Sequence, residues 1–140
     1  MAFDLIKDTN VTEYKKVRIA SQAYTLGDVV MLDTSSTSVD VIPATASTNG
    51  SNLYGVAMQT VTSAATSLLI CIINPTQEWS ATASNTASTD HNYNHMLLTD
   101  CTAVNNTTNN TTDEAIFVQT GILSTTKIVG KFANHNVATV

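Results

Sequence analysis

The sequence predicts an all-β fold, built as a small sandwich or barrel. Three observations carry that expectation. Apolar runs of strand length recur along the chain, divided by clusters of Gly, Pro, Asn, Asp and Ser, which is the spacing of sandwiches and barrels. Thr, Ser and Asn supply 49 of the 140 residues, and β-branched Thr loses rotamer freedom in a helix while a pleated sheet tolerates it. No segment repeats its apolar residues convincingly at helical spacing. Hydrophobic residues make up 43% of the chain, enough to fill a core in a length that suits one compact domain.

The elements follow in order. Residues 1–12 hold Phe3, Leu5 and Ile6 without a clear period and precede the first strand signal. They predict an extended N-terminal arm, unordered alone and ordered by a partner, with Phe3, Leu5 and Ile6 as its interface anchors. A single β domain is expected over 13–140, with a looser subdomain from about residue 84. Tyr14 to Ala20 alternates Val17 and Ile19 with Lys16 and Arg18, as a half-buried strand does. Gly27-Asp28 reads as a turn into Val29–Leu32, and a polar connection leads to Val39–Ile42, completing a hairpin that Pro43 ends.

Asn49-Gly50 is a strong turn dipeptide. Leu53 to Thr60 follows, and Gly55 inside it points to a bulge or a close backbone approach. Leu68 to Ile73 is apolar on both faces and is expected to be the most buried strand. Asn74-Pro75 closes it. Glu78 to Ala83 is a further strand, with Trp79, the one tryptophan, near its start. Residues 84–94 read as a loop and Met96–Leu98 as a short apolar strand. The Asn/Thr run at 105–112 has nothing to bury and predicts a long polar loop. Ala115–Gln119 and Lys127–Phe132 are the last clear strands, and Asn136–Val140 adds a short edge.

Composition excludes several function classes. A net charge of -5 with six basic residues does not suit a nucleic-acid binder, which needs several cations on one face to displace phosphate counterions. Lys15, Lys16 and Arg18 form the basic cluster, and they read as an edge strand kept from unwanted pairing. No apolar run nears the roughly 18 residues of a membrane-spanning helix. The first residues lack a basic segment followed by an apolar one, so synthesis in a host cytoplasm is expected, with Cys71 and Cys101 as free thiols.

No catalytic pattern stands out. The five glycines never occur as Gly-x-Gly, and no Gly-x-Ser-x-Gly elbow is present. His91 and His95 lie four apart, a spacing that shares one face of a helix or a strand, but a third ligand would have to come from elsewhere. His135 reads as a surface residue. No metal, no cofactor and no enzymatic activity are expected. Trp79 with Tyr54 and Tyr93 forms a candidate surface platform for sugar stacking, weighed against Trp79 as a plug of the core.

A family resemblance lies in the middle of the chain. The stretch Leu26-Gly27-Asp28-Val29-Val30-Met31-Leu32-Asp33, then Val39–Ala46, then Tyr54-Gly55-Val56-Ala57, then Leu69–Trp79 resembles the capsid decoration, or cement, proteins of tailed bacteriophages. Ile128-Val129-Gly130-Lys131-Phe132 has a similar look. The resemblance implies a β-tulip-like module on the capsid exterior of the virion. Its partner would be the major capsid protein, which it would bind commonly as a homotrimer, stabilising the head by bridging subunits. Rival readings are a tail, fibre or head–tail joining protein, and a carbohydrate-binding module using Trp79 and Tyr93.

Overall fold

A computed structural model describes residues 1–133 of the chain. The expected edge at Asn136–Val140 and the surface His135 lie outside the described residues. The described residues are all-β, with strands β1 (Phe3–Asp8), β2 (Tyr14–Arg18), β3 (Val29–Leu32), β4 (Val41–Pro43), β5 (Leu53–Ala57), β6 (Ser67–Ile72), β7 (Gln77–Thr82), β8 (His95–Asp100), β9 (Ala103–Asn105), β10 (Phe117–Ile122) and β11 (Lys127–Phe132), plus a 3-10 turn at Thr89–His91. The strands form two sheets, ordered β1-β7-β11-β10-β8-β9 and β2-β6-β5-β3-β4, and every paired strand runs antiparallel.

The sheets stack as a sandwich. Between them lies a core rich in aromatic rings: Phe3, Trp79, Phe117 and Phe132 are all buried there with Val29, Val56, Cys71, Met96, Leu98 and Ile128. Phe132 meets Trp79 and Phe117 edge-on, with ring centroids 5.7 and 5.2 Å apart. Such contacts add about 0.5–1.5 kcal/mol each beyond area burial.

The five-stranded sheet buries its other face as well. Along β3, β5 and β6 neighbouring residues point to opposite sides. Val29, Val56 and Cys71 join the interlayer core, while Val30, Ala57 and Ile70 join a second cluster with Val17, Ile19, Tyr24, Val41 and Leu68. That second cluster is covered because the sheet rolls up. β2 and β4 are its opposite edges, yet the Asp40 N–H donates to the Arg18 carbonyl at 3.0 Å. The edges touch at this point and do not pair further, so the sheet is a roll and not a closed barrel.

The hairpin of β3 and β4 forms as expected. Gly55 is a close-approach site. A Cβ there would lie 2.7 Å from the Cys71 carbonyl oxygen, and the β3–β5 register slips beside it, leaving Tyr54 with no residue opposite it on β3. Gly27 has φ 95° and takes the turn Thr25–Asp28 through the left-handed region.

Four expectations are corrected. Residues 1–12 are not a free arm, because β1 pairs with β7 from Phe3↔Ala81 to Asp8↔Gln77 and Phe3 is fully buried. β6 is not buried on both faces throughout, since Leu69 is exposed. The run 105–112 is not uniformly exposed. Asn106 is fully buried, where its side chain accepts from Asn85 N–H at 2.9 Å and donates to the carbonyls of Asn85 and Thr86. Residues on both sides of position 84 share one interlayer core, Phe3 and Trp79 with Phe117 and Phe132, so the chain after 84 builds the same sheet as β1 and β7.

Candidate functional site

The predicted sugar platform does not form. Trp79 is fully buried, with its indole N–H donating to Gln77 Oε1 at 3.2 Å. Tyr93 is 73% exposed on a residue with φ 68°. Tyr54 packs against the roll and takes a hydrogen bond from Lys15 Nζ at 3.1 Å. Trp79 is therefore a core plug, because its large ring has more to gain between the sheets than at the surface.

The residues with reactive side chains are dispersed or quiescent. Among the described residues no group of three or more His, Cys, Asp and Glu converges to hold a metal ion. His91 belongs to the 3-10 turn and His95 pairs with Val118 on β10. Both cysteines are free. Burial pushes the Cys101 thiol up to about 11, with Asp28 and Asp100 adding to the effect. Burial also raises the Cys71 thiol. Neither is a thiolate near neutrality, and the thiolate is the nucleophile.

What the surface does offer is concentrated on β1, β2 and the turn between them. Four of the six basic residues, Lys7, Lys15, Lys16 and Arg18, lie in this stretch of an acidic chain. So do three of the exposed large apolar residues: Ile6, Val11 at 84% and Tyr14 at 52%, with Leu69 exposed on neighbouring β6. Both strands are sheet edges. Phe3 and Leu5 point into the interlayer core. Ile6 sits at a register shift between Leu5 and Lys7 and faces solvent on the same side as Asp4, where alternation from Phe3 and Leu5 places it. Of the three predicted anchors, then, Ile6 alone is available to a partner.

The turn between the strands is built by Asp8. Its carboxylate accepts from Asn10 N–H at 3.0 Å, Thr12 Oγ1 at 3.2 Å, Thr76 Oγ1 at 2.5 Å and Gln77 Nε2 at 3.3 Å. The Thr76 hydroxyl, more than any other donor, lowers the Asp8 pKa. This set of bonds fixes Val11 at the turn's tip. At the other end of β2, Asp40 accepts from the Arg18 backbone N–H at 2.7 Å and from its guanidinium at 2.7 Å. That pairing holds the Asp40 carboxyl down at about 2.

Sequence reasoning missed this surface because it treated β1 as an arm and β2 as a guarded edge. The signal that could have joined them was the shared content of the two segments, cations and unpaired apolar residues within the first 18 positions. A second exposed apolar pair, Ile122 and Leu123, caps the β10–β11 hairpin. No protein-family model matches the chain, and no curated protein matches it.

Proposed function

We propose that this protein is a non-enzymatic structural component of a phage virion that binds the outer surface of the capsid and reinforces the head by bridging subunits of the major capsid protein. One observation carries the reading. The four segments of the phage resemblance lie in β3, β4, β5 and β6, with the last running on to Trp79 in β7. Four of the five strands of the rolled sheet are thus resembling segments that pack as one unit, which supports a common architecture over a chance run of turn residues.

The physics of the role is undemanding in chemistry and demanding in contact. A lattice binder needs a rigid body, a neutral hydrogen-bonding surface and a patch that recurs at every site. Many weak contacts across neighbouring subunits then give avidity that one copy lacks. The rigid body here is the doubly packed sheet, and the patch is the β1–β2 side with Ile6, Val11 and Tyr14. A homotrimer would present three such patches at once.

Co-sedimentation with heads of the encoding phage stripped of surface proteins tests the reading. Saturable pelleting, with greater head survival on heating, is the expected result. Val11→Asp lies at an exposed turn tip, so it should fold normally and pellet at least tenfold less. Protein that stays in the supernatant, or that pellets with tails instead of heads, overturns the proposal.

A further inference from the structure

The ladder between β2 and β6 fixes which way the β2 backbone faces. Ile72 N–H donates to the Glu13 carbonyl at 2.9 Å, and Ile19 N–H donates to the Thr66 carbonyl at 3.1 Å. Lys15 pairs with Ile70 and Val17 with Leu68 in the same register. Odd-numbered residues therefore bond to β6, and Tyr14, Lys16 and Arg18 turn their N–H and C=O groups away from it. At Arg18 both groups are taken: the N–H by the Asp40 carboxylate and the C=O by the Asp40 N–H. Among the described residues no strand lies alongside Lys16 and Tyr14, since β2 is the first strand of its sheet, and Tyr14, Lys15 and Lys16 are all exposed.

We infer that the open half of this edge, Tyr14–Lys16, is a docking edge for an acidic extended segment of a partner protein, which adds beside β2 as a further strand. Charge complementarity selects the occupant. The open half carries Lys15 and Lys16, the Arg18 charge being already paired with Asp40, and the molecule itself displays the mode of recognition. Asp40 satisfies a β2 backbone N–H and a β2 cation with one carboxylate, and Lys16 repeats that donor-plus-cation arrangement two residues earlier.

A lysine that serves purely to repel other strands needs no apolar neighbours. Here Lys16 is directly opposite Leu69, and Tyr14 is diagonal to Leu69 on the same face. Exposed Tyr14 and Leu69 give the incoming strand an apolar shelf between its acidic positions. Main-chain hydrogen bonds would supply affinity, and alternate side chains would supply specificity.

The test uses the full chain and a fluorescein-labelled eight-residue peptide alternating Glu with Val or Thr. Fluorescence anisotropy at low salt should show saturable binding that weakens as salt rises. Lys16→Glu, at an exposed position checked for folding by circular dichroism, should weaken binding at least tenfold. So should a peptide N-methylated at alternate residues, which keeps the charge and loses the backbone donors. A peptide with Lys in place of Glu should not bind. Absence of binding at millimolar peptide overturns the inference, as does equal binding of the N-methylated peptide, which would reduce the effect to bulk charge attraction. Because the assay contains no heads, the docking edge and the capsid role stand or fall separately.

Discussion

The interlayer core and the interior of the roll share strands β3, β5 and β6, yet different side chains fill them. Between the sheets lie Phe3, Trp79, Phe117 and Phe132, drawn from both ends and the middle of the chain. Inside the roll lie Val17, Ile19, Val30, Val41, Ala57, Leu68 and Ile70, with the ring of Tyr24 buried among them, all from one stretch of the sequence. The first core gathers distant segments and holds them with large aromatic surfaces. The second forms from neighbours in sequence and is filled mostly by branched aliphatic residues, because the curvature of the sheet closes around them. It is fastened at the surface by the ion pair and backbone hydrogen bond of Arg18 and Asp40. Each closure therefore has its own weak point.

Phe3→Ala should cause the largest loss. Phe3 is fully buried and its ring lies 5.4 Å from Phe132 and 6.1 Å from Phe117. Removing a core phenylalanine costs about 3–5 kcal/mol. Urea unfolding followed by Trp79 fluorescence reads the change. A cost under about 1 kcal/mol would mean that β1 is a detachable strap after all.

Two glycines of the β10–β11 hairpin sharpen the comparison at smaller scale. A Cβ on Gly130 would lie 2.1 Å from the Val118 carbonyl oxygen and 2.7 Å from Phe117 Cε2, while a Cβ on Gly121 meets nothing within 4 Å. Gly130→Ala should cost roughly 1–3 kcal/mol by forcing strand and ring apart. Gly121→Ala should stay within about 0.5 kcal/mol of the parent. Equal losses in thermal or urea melts would show that backbone freedom, and not aromatic crowding, sets the requirement.

The smallest effect is expected at the roll's fastening, and it depends on pH. The folded-state pKa of Asp40 is about 2, below its ordinary 3.8, chiefly because the Arg18 side chain donates hydrogen bonds to it. Its contribution is present in full above pH 3.8 and is lost as the pH falls through about 2. Asp8 acts in the same direction. Asp28, pushed up by burial, acts in the opposite one and favours the folded state at low pH. Urea midpoints of the parent chain should thus fall more steeply between pH 4 and 2 than those of Asp40→Asn. Parallel curves would mean that the ion pair contributes nothing to closing the roll.

The roll was largely legible in the sequence, because its strands are consecutive and their punctuation is explicit: Gly27-Asp28, Asn49-Gly50, Asn74-Pro75. Trp79 as a core plug was legible as well. β1 was not. Ile6 is an extra residue at a bulge, so the alternation that Phe3 and Leu5 begin is broken at the next step. Nothing local marks a strand whose partner lies as far away as Phe3 is from Ala81. Asn106 was hidden for another reason. Its neighbours are Asn and Thr, and a buried amide that imitates a strand by bonding to the backbone of Asn85 and Thr86 has the composition of an exposed loop. For the docking edge, Lys15, Lys16 and Arg18 already marked β2 as the end of its sheet, and the fact the sequence hid was the exposure of Leu69.

The order β1-β7-β11 sets a timetable for the nascent chain. The roll can assemble once residue 72 has left the ribosome. β1, made first, has no partner until β7 emerges, and β7 remains open on its other side until Phe132 is synthesised. At 5–20 residues per second, that last wait is roughly 3–10 s, during which Phe3 and Trp79 lack the Phe132 ring that covers them. A translation pause or a premature stop after β7 would leave a finished half-molecule carrying a bare aromatic face, and such a fragment is what chaperones would be expected to capture.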